Sequence, residues 1–214
     1  MIYAYVGLPG TGKTFSMVYD TIPLIKSGGK VISNFPIRFG KQKDGSYKYK
    51  SICLNPVDFI DAIEHEERAT FLVDECNIIF SSYDDVKKIE RGLLNRFAQG
   101  RKLGLDFFFT SQRFHHSLKR IRDLTNVVVE CKKFVFLTFT FFRNTYYNPV
   151  IYDREALFDT PLEQKYIMKK RFIMPWELPG VYSKYPTEFL IQSKDEFIRK
   201  QSTRVNKEYI PINI

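Results

Sequence analysis

Between an apolar run from Ile2 to Val6 and a helical pattern that starts at Lys13 stands Gly7-Leu8-Pro9-Gly10-Thr11-Gly12-Lys13-Thr14, which fits the template G-x-x-x-x-G-K-[ST] without a mismatch. Strand, glycine loop and helix in this order commit the N-terminus to a βα unit whose turn is shaped for polyphosphate. Gly7, Gly10 and Gly12 let the backbone curl so that successive N–H groups point inward, and Pro9 and Thr11 complete the loop. The helix that follows adds its positive N-terminal end. Lys13 has the reach for the β- and γ-phosphates, and the Thr14 hydroxyl suits Mg²⁺. The chain is therefore expected to bind a nucleoside triphosphate.

A phosphate cradle is not a hydrolase by itself. Phe71-Leu72-Val73-Asp74-Glu75 is an apolar strand ending in acid, the Walker B arrangement. Asp74 is expected in the Mg²⁺ shell, and Glu75 as the general base that activates water. A further apolar strand ends in Thr110-Ser111-Gln112-Arg113, and Gln112 at its tip is the candidate sensor of γ-phosphate and lytic water. Charge developing on the γ-phosphate calls for a cation, which in ring motors comes from the next subunit. Arg101 is the first choice for this finger, with Arg96 and Arg113 as alternatives. Asn206-Lys207 is followed by Glu208-Tyr209 and does not form the guanine motif N-K-x-D, so ATP is the expected nucleotide.

The pattern along the chain places these motifs. Helices are expected from Lys13 to about Ile22, where Pro23 should end or kink the helix. Others are expected from Asn55-Pro56 to about Ile63, from Asp84 to Lys102, and from Leu118 to Leu124. Strands are expected at Lys30–Ser33, Ala69–Val73, Asp106–Gln112 and Asn126–Glu130, with an exposed loop or hairpin over Phe39–Lys50. Strands alternating with helices imply an α/β fold, a mostly parallel sheet sandwiched by helices. After residue 131 the pattern changes. Lys132 to Ile151 reads as a β-hairpin, and its Phe134, Phe136, Phe139, Phe141 and Phe142 read as core, with docking to a neighbour or a membrane as the alternative. From Tyr152 the chain is proline-punctuated and basic. The expected organisation is an ATPase domain over 1–151 and a C-terminal extension or small subdomain over 152–214.

A net charge of +9 favours a polyanionic partner, nucleic acid or an anionic membrane face. The candidate contacts are Lys87-Lys88 with Arg91, Lys119, Arg120 and Arg122, and Lys169-Lys170-Arg171, each of which could equally be a solvated face. His115-His116 reads as a surface pair rather than a metal site. Cys53, Cys76 and Cys131 lack C-x-x-C spacing, so free thiols in a reducing cytoplasm are expected. The first strand runs straight into the P-loop, which leaves no room for a signal peptide. The longest apolar run, Phe134 to Phe142, is too short to span a bilayer as a helix.

Taken together, Gly7–Thr14, Thr21-Ile22-Pro23 with Gly29–Asn34, Leu72–Glu75, and Gly100–Asp106 running into Thr110-Ser111-Gln112 resemble the zonular occludens toxin (Zot) family of phage ATPases. That family is related to the FtsK/HerA-type DNA translocases, with a RecA/ASCE-like P-loop fold. The likeness covers about residues 1–131, and more loosely Leu157-Phe158-Asp159-Thr160. It implies an ATP- and Mg²⁺-dependent motor that moves DNA of any sequence and works as a ring, usually a hexamer. It also implies action at a phage capsid vertex or a host inner-membrane assembly complex. Genome packaging into a capsid is the favoured reading, because extrusion-type members usually continue into a transmembrane helix. The cytosolic ATPase domain of an extrusion protein is the alternative, and a P-loop small-molecule kinase a more distant one.

Overall fold

The computed structural model describes residues 1–76, 91–117, 119–136, 139–149, 167–177, 180–181 and 183–185. Ten strands and four α-helices lie within them: β1 (Ile2–Val6), α1 (Lys13–Lys26), β2 (Lys30–Ser33), β3 (Arg38–Lys41), β4 (Tyr47–Lys50), β5 (Ile52–Cys53), α2 (Pro56–His65), β6 (Ala69–Val73), α3 (Arg91–Gln99), β7 (Asp106–Ser111), α4 (Lys119–Leu124), β8 (Val127–Phe136), β9 (Phe139–Tyr147) and β10 (Ile167–Ile173). Eight strands form one sheet in the order β10-β9-β8-β1-β7-β6-β2-β5, while β3 and β4 form a separate hairpin. From β8 to β5 all pairings are parallel, and β9 and β10 add antiparallel strands at one end.

The parallel strands read as continuous apolar runs because both faces are covered. One face packs under α1, through Phe15, Met17, Val18 and Ile25. The other packs under α2, α3 and α4, through Phe59, Ile63, Phe97 and Ile121. Aromatic pairs tie the layers together. Phe59 meets Phe71 edge-on with ring centres 5.7 Å apart, and Phe97 lies 4.5 Å from Phe107.

Several local signals act as expected. Asn55 caps α2, its side-chain oxygen accepting from the Val57 and Asp58 N–H groups at 3.0 Å, with Pro56 as the first helical residue. Two differ. α1 passes through Pro23 to Lys26. Ile25 beyond the proline is buried in the core, and that packing outweighs the lost backbone bond. The strand expected to stop near Glu130 instead continues as β8 to Phe136, so one strand serves both as the parallel neighbour of β1 and as the first arm of the hairpin. Residues 84–90 of the expected helix 84–102 lie outside the described residues, as does the segment 157–160; the described part is helical as α3 to Gln99 and turns from residue 100, before the expected end at Lys102.

Among the described residues no helix is long and apolar enough to cross a membrane. Cys53, Cys76 and Cys131 are free thiols, the last two buried. Burial pushes the Cys131 thiol up to about 12.

Candidate active site

The topology sets the site. β7 lies between β1 and β6, so the tips of three adjacent parallel strands deliver the glycine loop, the end of β7 and the acidic pair to one edge of the sheet. Crevices outside the C-terminal ends of parallel strands are where α/β folds bind ligands.

The loop has the backbone of a cradle. Gly7, Gly10 and Gly12 have φ of 152°, 76° and 85°. A Cβ on Gly7 would fall 2.7 Å from the Cys131 carbonyl oxygen, and one on Gly12 would fall 2.5 Å from Phe142 Cε1. The hairpin arms β8 and β9 thus brace the loop from behind. Phe142 in turn stacks on Phe15 of α1 at 4.9 Å. Gly12→Ala should cost roughly 2 kcal/mol or more, from a left-handed backbone together with overpacking against the Phe142 ring. Urea unfolding checks this. A Gly12→Ala/Phe142→Leu pair should recover the packing part only.

Lys13 is buried, and its Nζ donates to the Leu8 carbonyl at 3.3 Å. Thr14 Oγ1 donates to Asp74 Oδ1 at 2.8 Å, which joins the two halves of the site across the sheet edge. The same carboxylate oxygen accepts from Thr110 Oγ1 at 2.6 Å, and that hydroxyl oxygen accepts from the Glu75 N–H at 2.8 Å. Asn34 at the tip of β2 bonds the Asp74 backbone in both directions, donating to its carbonyl and accepting from its N–H, each at 2.9 Å. Thr110 and Asn34 are positioning residues with no motif of their own. Their signal is their place at strand tips, which becomes visible only once β2, β6 and β7 are known to be neighbours.

The electrostatics fit a site for a hard cation and a polyphosphate. Burial pushes the Asp74 carboxyl above the ordinary carboxylate range, against the pull of the Thr110 and Thr14 hydroxyls and the Lys13 ammonium. Burial also raises Glu75; Lys13 opposes the shift and Asp74 adds to it. Glu75 holds φ of +50°, an uncommon backbone for a residue with a side chain. Its N–H bond to Thr110 keeps the turn in place. A threonine hydroxyl beside a carboxylate oxygen is a donor set suited to Mg²⁺.

The other expected residues are spread more widely. Gln112 is exposed just past the end of β7, and it is Thr110, two positions earlier, that contacts Asp74. Arg101 is exposed in the turn that precedes β7, at the N-terminal ends of the strands. The length of a strand, on the order of 15 Å, separates it from the P-loop of its own chain. Arg96 donates to the Ile63 and Glu66 carbonyls and so closes the C-terminal end of α2. Arg113 is exposed at the same sheet edge as the P-loop.

Of the basic stretches, Lys119, Arg120, Lys169 and Lys170 are exposed, whereas Arg171 donates to Asp20 of α1 at 2.9 Å. Lys87 and Lys88 lie outside the described residues, as does the side chain of Arg91. His115 Nδ1 pairs with the Arg122 guanidinium at 3.1 Å, and no cluster of metal-ligating side chains occurs among the described residues.

Comparison with known proteins agrees with this architecture. The N-terminal domain of zonular occludens toxin from Neisseria meningitidis shares the fold at 17% identity and a TM-score of 0.56, over 86% of this chain and 98% of that one. The genome packaging NTPase B204 of Sulfolobus turreted icosahedral virus 2, solved with ATP-gammaS, matches at 12% identity and a TM-score of 0.52, over 81% of this chain and 96% of that one. Among curated protein sequences none matches the chain. The family model for zonular occludens toxin (Zot) matches residues 1–174, most of the 214-residue sequence, and the chain therefore belongs to the Zot family.

Proposed function

We propose that the chain hydrolyses ATP and couples hydrolysis to the movement of DNA in phage morphogenesis, with genome packaging as the favoured task. The observation that carries the reading is the bond from Thr14 to Asp74, which brings a P-loop hydroxyl and a Walker B carboxylate together at one strand edge. B204, a packaging NTPase of the same fold, was solved with an ATP analogue, which supports the nucleotide and the task.

In this reading Gly7–Thr14 wraps the phosphates, with Lys13 against the β- and γ-oxygens. Thr14 and Asp74 would hold Mg²⁺, which when bound offsets phosphate charge. Glu75 takes the proton of the attacking water, and Thr110 fixes both acids by its two hydrogen bonds. Gln112 reports on the γ-phosphate. Arg101 or Arg113 serves the site of a neighbouring subunit in a ring. A kinase has little use for Glu75, because a water-activating base beside the phosphates would waste ATP.

ATPase activity measured with Mg²⁺, with and without single- and double-stranded DNA, tests this on a sample of known solution mass. Hydrolysis that is lost on chelation and stimulated severalfold by duplex DNA is the expected result. Stimulation by single strands alone would favour extrusion over packaging. No hydrolysis under any of these conditions overturns the proposal.

A further inference from the structure

Beyond the buried Phe142, the β8–β9 hairpin carries apolar side chains that nothing among the described residues covers. Val135 is 65% exposed, Phe136 68% and Phe139 59%. Cross-strand partners share a face. Val135 pairs with Thr140 on one face, and Phe136 pairs with Phe139 on the other. The end of the hairpin therefore exposes an apolar side chain on each side, Val135 on one and Phe136 with Phe139 on the other, which suits end-on entry into an apolar phase rather than packing by one face.

Cations lie where this apolar end begins. Lys132, ion-paired with Glu130 at 2.9 Å, pairs across the hairpin with Arg143, and the exposed Lys133 follows it. The exposed Lys169 and Lys170 of neighbouring β10 pair with Tyr146 and Thr145, two to three residues further from the tip than Arg143. Residues 131–143 and 167–173 contain no Asp or Glu. Between Lys133 and Phe136 the strand rises roughly 10 Å. That matches the depth of about 5–10 Å to which apolar faces enter the boundary between lipid headgroups and acyl chains. Just past β10, whose Ile173 pairs with Phe142, Trp176 is 74% exposed. Tryptophan is favoured at membrane–water interfaces.

We propose that this hairpin end docks on an anionic lipid membrane, with Val135, Phe136 and Phe139 entering the interface. Lys133 and Arg143 meet lipid phosphates, Lys169 and Lys170 stand further back and add long-range attraction, and Trp176 lies at headgroup level. The unpaired backbone at the hairpin edges would be costly in hydrocarbon, so contact stops at the interface. Two other partners fit less well. Single-stranded DNA stacks on aromatic rings set among cations along a groove, whereas here the exposed rings lie beyond the cations and the apolar end wraps both faces. A second copy meeting the hairpin about a two-fold axis would set the same cationic belt against itself.

The inference is independent of nucleotide and is tested without it. The full chain is mixed with vesicles of equal phosphatidylglycerol and phosphatidylcholine, or of phosphatidylcholine alone. Binding is followed by co-sedimentation and by the emission of Trp176, the only tryptophan. A blue shift and salt-sensitive binding to the anionic vesicles are expected. Val135→Ser/Phe136→Ser should weaken binding at least tenfold, and Lys133→Gln about fivefold. Thermal unfolding of both variants should match the parent. Failure to bind anionic vesicles overturns the proposal, as do equal binding to neutral ones and unchanged binding by the apolar variant. So does an apolar variant that loses DNA affinity or oligomeric mass while vesicle binding stays intact.

Discussion

Glu75→Gln is expected to bind ATP as the parent does and to turn it over roughly 10²–10⁴-fold more slowly, the usual worth of a positioned general base. The amide keeps the shape of the side chain and cannot accept a proton. The backbone should not move, because the turn is held from outside the side chain, by the Glu75 N–H bond to Thr110 and by the two bonds between Asn34 and Asp74. Steady-state hydrolysis and titration with a fluorescent ATP analogue separate the two effects. An undiminished rate in the variant would place the base elsewhere.

Lys13→Ala should abolish turnover and weaken ATP binding by about one to two orders of magnitude, the loss expected for a charge-assisted hydrogen bond to phosphate. The ammonium is also the cation that opposes the raised pKa values of Asp74 and Glu75, so its removal leaves both acids less ready to ionise. Lys13→Arg should not rescue. Lys13 is buried, and a planar guanidinium does not replace a compact ammonium there. Calorimetric titration with ATP provides the check; parent-like affinity in Lys13→Ala would remove Lys13 from the phosphate site.

Features written locally in the chain were legible from it. Gly7–Thr14 between strand and helix, the Asn55-Pro56 start of α2 and the limits of β6 each depend on a few neighbouring residues. Features that depend on which strands become neighbours were not. Nothing near Thr110 signals that β7 inserts between β1 and β6, so the hydroxyl that reaches Asp74 leaves no mark in the sequence. Asn34 read as the end of a strand, and its grip on Asp74 follows from the pairing of Ser33 with Leu72. Arg96 read as a free cation because a guanidinium that closes another helix leaves no local trace. Lys132-Lys133 interrupted an apolar pattern and hid the continuity of β8. Of the five phenylalanines in the hairpin only Phe142 is core, since alternation along a strand says which residues share a face but not whether anything covers it.

Asp20 lies on α1, the helix that begins at the P-loop. Its two carboxylate oxygens accept from Tyr5 at 2.8 Å, Tyr146 at 3.0 Å and Arg171 at 2.9 Å, side chains of β1, β9 and β10. The next residue back, Tyr19, lies under the Arg171 guanidinium at 4.4 Å and donates to Glu177. A helix moored to three strands cannot slide or rotate without breaking all of these bonds together. The ordering cost of aiming its N-terminus is met when the chain folds and is not charged again against each ligand. Any adjustment on ligand binding is thereby directed away from α1, towards the tips of the neighbouring strands and the turns that follow them.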